Sequence, residues 1–322
     1  MSHHPPFKQV EQTRPDFDAG HSLRYTKTPQ PDWHVGQGLN NAQVPHAEIF
    51  RSPGPVETFI PYEDLSPAEM YKLMISSIVP RPIGFCSTLS ADGKPNLAPF
   101  SYFNAAGSSP PCVMMSCTAS GGGDKDTAAA ISEPLKNSLS LSSLSPANYT
   151  SIDTPSGISE WTLSGLTPEP STKVKPARVQ EAAVNMECEL EHLHEMHDPT
   201  DPKKLTQVIV IGRIKAWHIK KEVLVDGNTS GPMVAFDKLM PIARLGYAQN
   251  FLINFYRKEN KKFAVNGLIN AIICIVYVSF ADRSCSGISY CRALECFELP
   301  RPIWKEEKEK EEVKKLLADQ DK

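Results

Sequence analysis

SSIVPRPIGFCSTLSADGKPNLAPFSYFN, from Ser76 to Asn104, holds two short β-type runs with turn residues between them. Ile83 to Ser90 (IGFCSTLS) is apolar and aromatic with β-branched content, and PNLAPFSYF from Pro95 to Phe103 resumes that texture. Ala91-Asp92-Gly93-Lys94 lies between them. Its Asp-Gly pair predicts the turn of a hairpin, because glycine adopts the positive φ that tight hairpin turns require.

Working outward, Ser66-Pro67-Ala68-Glu69 supplies an N-cap, a proline at the first helical position and a glutamate able to close a capping box. A short helix through Met74 is predicted. Downstream, PPCVMMSC (Pro110 to Cys117), VNMECELEHLHEM (Val184 to Met196) and LTQVIVIGRIKAWHI (Leu205 to Ile219) read as strands with a mostly apolar face. The chain is therefore mainly β with flanking helices, and a closed antiparallel barrel would hide the edges of its strands. Residues 1–60, rich in Pro, His, Asp and Gln without an apolar period, read as an extended, disordered arm. Residues 305–322 carry Glu and Lys at helical spacing and read as a solvated helix or frayed tail. There is no internal repeat.

Bulk properties exclude some functions. With 34 Lys+Arg against 37 Asp+Glu and a net charge of -3, the 322 residues present no broad basic surface for nucleic acid. The 8 cysteines form no C-x-x-C pair, which suits free thiols in a reducing compartment. The first residues, MSHHPPFKQVEQTRPDF, lack the charged and apolar regions of a secretory signal, so the expected location is cytoplasmic.

Several stretches in order carry a resemblance: Ser76 to Asn104; DKDTAA (Asp124 to Ala129); NYTSIDTPSGISEWTLSGLTPEPSTKVKPARV (Asn148 to Val179); PIARLG (Pro241 to Gly246); and GISYCRALECFELPRP (Gly287 to Pro302). Together they resemble the flavin-reductase-like FMN-binding split-barrel family, over residues 61–246 plus 287–304. The resemblance implies a six-stranded FMN-binding split β-barrel, a homodimer with FMN near the subunit interface, and NADH or NADPH as electron donor.

An FMN site must hold a dianionic phosphate, a polar ribityl chain and a flat ring open at one edge. For the phosphate, Ser116 and the loop Gly121-Gly122-Gly123-Asp124-Lys125-Asp126-Thr127 combine backbone amides, the Lys125 cation and the Thr127 hydroxyl. A plain flexible loop is the blander reading. For ring and ribityl, Asn96 to Asn104, including Ala98, Ser101, Tyr102, Phe103 and Asn104, are expected on one strand with its exit turn, Ser101 and Phe103 sharing a face. An ordinary buried strand is its rival. Arg81, between Pro80 and Pro82, could reach a phosphate or ring carbonyl, or form a surface salt bridge. By resemblance, Arg244, Gly246 and Tyr290 lie beside the flavin. No catalytic base is named, because hydride transfer between nicotinamide and flavin is chemistry of the two cofactors.

Cys188, His192, His194 and His197 form a cluster that could bind zinc, with alternation putting the first three on one face. A half-exposed strand end is the preferred reading, and no metal is assigned. Trp161 and Trp217 read as packing residues.

Two segments depart from the family. Pro134 to Ala147 (PLKNSLSLSSLSPA) keeps period two, so an edge strand remains possible, but its weak apolar content suggests a local frame or splice error and leaves open whether it still forms a barrel strand. Tyr247 to Ser286 separates two halves expected to be contiguous, and its uncharged stretch Phe263 to Ala281 is long enough to span a bilayer. The preferred reading is a retained intron or mistaken gene model, with a membrane anchor as its rival. A single span there would send Leu245 and Ile288 to opposite sides of a bilayer, though they belong to one wall; the membrane reading is therefore disfavoured. Three functional readings follow: an NAD(P)H-dependent flavin reductase or a flavoprotein oxidoreductase holding FMN as a prosthetic group, a non-catalytic FMN-binding carrier, and a product made defective by the insertion.

Overall fold

The computed structural model describes residues 54–245, apart from 91, 120–134, 139–143, 152–158 and 228–230, together with short pieces between 12 and 38, residues 289–292, 295–296 and 309–320. Lys125, Asp126, Thr127, Gly246 and the insertion 247–286 lie outside the described residues. The described residues divide into two compact units, one built on 75–245 with 289–292 and one on the pieces before 75 with 295–296 and 309–320.

The strands are β1 (Arg24–Tyr25), β2 (Arg81–Pro82), β3 (Gly84–Leu89), β4 (Pro95–Phe100), β5 (Phe103–Ser108), β6 (Pro111–Thr118) and β7 (Leu135–Ser138). They continue as β8 (Pro168–Glu169), β9 (Arg178–Val179), β10 (Val184–Asp198), β11 (Asp201–Ile219), β12 (Ile242–Leu245), β13 (Ser289–Arg292) and β14 (Glu295–Cys296). The helices are α1 (Pro67–Ser77), α2 (Leu144–Tyr149), α3 (Glu160–Ser164), α4 (Phe236–Leu239) and α5 (Glu311–Gln320).

The capping box forms as expected. Ser66 Oγ and its backbone N–H both donate to Glu69 Oε2, at 2.6 and 2.9 Å. The helix runs past Met74 to Ser77. In the stretch expected to be an arm, Arg24–Tyr25 pairs in parallel with Glu295–Cys296.

β3 and β4 form the expected hairpin, with Gly93 at φ 80° in its turn. They belong to a seven-stranded sheet of order β4-β3-β7-β10-β11-β6-β5. This sheet curls on itself. Cys86 Sγ on β3 lies 3.4 Å from Met115 Sδ on β6, whereas four strand spacings in a flat sheet would separate them by about 19 Å. The curl encloses Cys86, Met115, Cys117, Val208 and Val210, with Phe100, Phe103 and Leu205 packed against them. The ladder stays open between its end strands β4 and β5, which follow one another in the chain. The architecture is a split β-barrel, with seven strands in this sheet where the resemblance implied six.

The opposite face of β3 belongs to a second core. Ile83, Phe85 and Leu97 pack with Ala147 of α2, Trp161 of α3, and Leu166, Val179 and Ile242. Both faces of β3 are covered, which explains its nearly continuous apolar run. Trp161 is thus a core residue, but Trp217 is 50% exposed, contrary to its packing assignment.

β7 corrects a second expectation. Leu135–Ser138 is no edge strand; it pairs antiparallel with β3 on one side and β10 on the other. Backbone ladders on both sides hold it.

A three-stranded sheet, order β13-β12-β2, completes the first unit. Leu245 pairs with Ser289, so the ends flanking the insertion are neighbours on one ladder. Among the described residues no helix is long and apolar enough to cross a membrane.

Candidate functional site

The site is built around a bend that the sequence does not advertise. Ser101 and Phe103 were expected on one strand, but β4 ends at Phe100, Ser101 and Tyr102 form a bend, and β5 begins at Phe103. The reason is steric parity. Phe100 and Phe103 both pack toward the barrel interior, yet residues three apart on one strand point to opposite faces. The chain must therefore turn between them.

Several predicted residues converge on this bend. Arg244 on β12 donates from Nη1 to Ser101 Oγ at 3.3 Å. The Ser116 N–H on β6 donates to the Tyr102 carbonyl at 2.9 Å. Phe103 pairs with Met115 and Asn104 with Met114 in the β5–β6 register. Tyr290 on β13 is the strand partner of Arg244. Ser101, Tyr102, Phe103, Ser116 and Arg244 thus form one neighbourhood, with the backbone of Tyr290 beside it.

The other predicted residues make the following contacts. Asn96 Nδ2 donates across the hairpin to Thr88 Oγ1 at 3.4 Å. Ala98 pairs with Cys86 within the β3–β4 ladder. Exposed Asn104 turns its side-chain oxygen back to the Ala105 N–H at 2.8 Å. Arg81 is buried at 5% exposure, which removes the surface salt bridge as a reading. Its Nη1 donates to the carbonyls of Ile75 and Ile78 at 2.7 and 2.8 Å, and its Nη2 to that of Leu245 at 3.2 Å.

The zinc cluster does not assemble on one face. Cys188 is buried, whereas His192, His194 and His197 are exposed on the outer half of β10, and the ladder shifts register between Leu190 and His192.

The electrostatics of the neighbourhood favour electron-rich ligand atoms. Arg244 Nε is buried and has no hydrogen-bond partner among the described residues. A buried guanidinium N–H without an acceptor costs about 1–3 kcal/mol until one arrives. Ser101 accepts from Arg244 and keeps its own O–H to donate elsewhere. Ser116 Oγ lies 3.3 Å from Gln207 Oε1, and reversing that amide lets Gln207 donate instead and releases the Ser116 proton.

Two structural residues escaped the sequence reading. Gln207 lies on β11 opposite Thr118, a register no local pattern reveals. Glu187 on β10 is fully buried. Its carboxylate accepts the Thr172 N–H at 2.8 Å, the Thr172 hydroxyl at 3.1 Å, the Val174 N–H at 3.2 Å, the Lys173 N–H, and a contact from His218 Nε2. Burial pushes its pKa up, but the amides of Thr172 and Lys173 and the His218 ring outweigh burial and hold it below the ordinary value. The only signal was an acidic residue between Met186 and Cys188 in an otherwise core-facing run.

Residues 75–238 match a family model described as flavin reductase like domain. An uncharacterised protein of Aquifex aeolicus (strain VF5) is 35% identical over 185 residues, which are 55% of this chain and 86% of that protein. Among solved structures, nitrilotriacetate monooxygenase component B from Bacillus cereus superposes with a TM-score of 0.55 at 29% identity, over 60% of this chain and 93% of that one. The 2-nitrobenzoate 2-nitroreductase NbaA of Pseudomonas fluorescens superposes with a TM-score of 0.55 at 22% identity, over 77% of this chain and 98% of that one, a likeness of fold.

Proposed function

We propose that this chain, which belongs to the flavin reductase-like domain family, is an oxidoreductase that holds FMN at the Ser101–Tyr102 bend and takes its electrons from NADH or NADPH. The observation that carries this reading is the Arg244–Ser101 contact with, beside it, the buried Nε that has no hydrogen-bond partner among the described residues. That donor set fits a flavin, whose pyrimidine carbonyls and phosphate are both acceptors.

Arg244 would direct positive charge at whichever acceptor enters the bend, and the guanidinium favours a ligand whose negative charge grows on reduction. Ser101, already an acceptor to Arg244, would orient its hydroxyl proton toward the same ligand. Phe103, anchored in the barrel interior, makes the floor of the bend rigid. Ser116, with the Lys125 ammonium, the Asp126 backbone N–H and the Thr127 hydroxyl, would hold the phosphate, and Asn96, Ala98, Tyr102, Asn104, Gly246 and Tyr290 remain proposed neighbours of the ribityl chain and ring. When bound, FMN supplies the hydride chemistry, so the residues need no acid/base pair. The working form is a cytoplasmic homodimer, an arrangement in which a second copy would border the flavin.

Absorption spectroscopy tests the proposal. Purified protein supplied with FMN should show a bound-flavin spectrum that bleaches on addition of NADH or NADPH. Flavin that binds but is not bleached by either nicotinamide would favour a carrier. Protein that binds no FMN would overturn the assignment.

A further inference from the structure

Arg81 was expected to touch the ligand, yet both Nη atoms of its guanidinium donate to the protein's own backbone. It is buried, and three of its donor contacts reach carbonyls of two separate segments: Ile75 and Ile78 at the end of α1, and Leu245 at the end of β12. Carbonyls at a helix C-terminus lack intrahelical partners and carry partial negative charge, which suits a cation there. The planar guanidinium fork can serve such divergent acceptors at once; an ammonium is a point charge without that geometry.

The register gives this tie its consequence. Arg81 is the strand partner of Arg244 in the β2–β12 pair, and its side chain reaches past Arg244 to the next carbonyl. β12 is only four residues long, and Arg244 meets Ser101 through a single contact at 3.3 Å. A small slide of β12 would break that contact. Resting on the reading of the bend as the flavin site, we propose that Arg81 is a positioning residue: it clamps β12 to the end of α1 and so sets Arg244 against Ser101, ready for the ligand.

The test has two arms. In the first, amide hydrogen exchange is measured without ligand. Arg244 and Leu245 should be protected in the unaltered chain and exchange faster in Arg81→Lys, while the β10–β11 ladder is unchanged. A β12 that exchanges freely in the unaltered protein, or is indifferent to Arg81→Lys, overturns the proposal, and the first of these results needs no variant to fold. In the second arm FMN is titrated into Arg81→Lys alone and in an Arg244→Ala background. The clamp predicts about tenfold weaker binding alone and less than about twofold further weakening when Arg244 is absent, since coupled residues are non-additive. Equal losses in both backgrounds would show that Arg81 does not act through Arg244. An unaltered protein that fails to bind FMN would sink the flavin reading, and the exchange arm would still judge the clamp.

Discussion

The ring of Phe103 occupies the space that a side chain at Gly84 would need: a Cβ built on Gly84 would lie 2.6 Å from Phe103 Cδ2 and 2.7 Å from Cγ. Gly84 stands at the start of β3 and Phe103 at the start of β5, second and last in the order of the curled sheet. A missing side chain on one strand thus receives an aromatic ring from another.

Gly84→Ala should therefore displace the Phe103 ring and strain the adjoining bend. Overpacking of this kind costs about 1–3 kcal/mol. The check is chemical denaturation, with an unchanged m-value and a lower midpoint, together with weaker FMN binding, because the floor of the site moves.

Glu187 makes part of the stability depend on pH. Its folded pKa is depressed, so the carboxylate stabilises the fold above the unfolded glutamate value of about 4.3, and this contribution fades as pH falls through the lower folded value. Glu187→Gln should remove that component and place an amide N–H₂ among donors, costing about 2 kcal/mol at neutral pH. Denaturation midpoints measured between neutral and acidic pH should converge for the two proteins.

Excising Tyr247 to Ser286 should leave the sheet intact. Leu245 and Ser289 are paired, and the deletion would join them through Gly246, Gly287 and Ile288, a three-residue connection of a length hairpins use. Shortening the connection by 40 residues should stabilise the β12–β13 pair by about 2 kcal/mol through loop closure. A thermal melt and soluble yield check this; loss of folding would mean that the insertion contributes to the structure.

How much of this was legible depended on how local the cause was. The Asp92-Gly93 hairpin and the Ser66–Glu69 box rest on neighbours in sequence, and both formed as read. The family stretches told the barrel. The bend at Ser101–Tyr102 was hidden because its cause, the shared burial of Phe100 and Phe103, exists only once the sheet has curled. The place of β7 was hidden because weak apolar content in the sequence says nothing of the two flanking ladders that hold Leu135–Ser138. For Arg81 burial removes the surface salt bridge, and its backbone partners were out of sight, since nothing near it in the chain announces the Leu245 carbonyl 164 residues away.

The central claim, that the Arg244–Ser101 bend receives the flavin, is tested most directly by titrating FMN into the unaltered chain and into Arg244→Ala, following the quenching of flavin fluorescence. The account predicts binding in the first and affinity weaker by about tenfold or more in the second, the loss of a charged hydrogen-bond donor, with a melting temperature that barely changes. Equal affinity in the two proteins would contradict it.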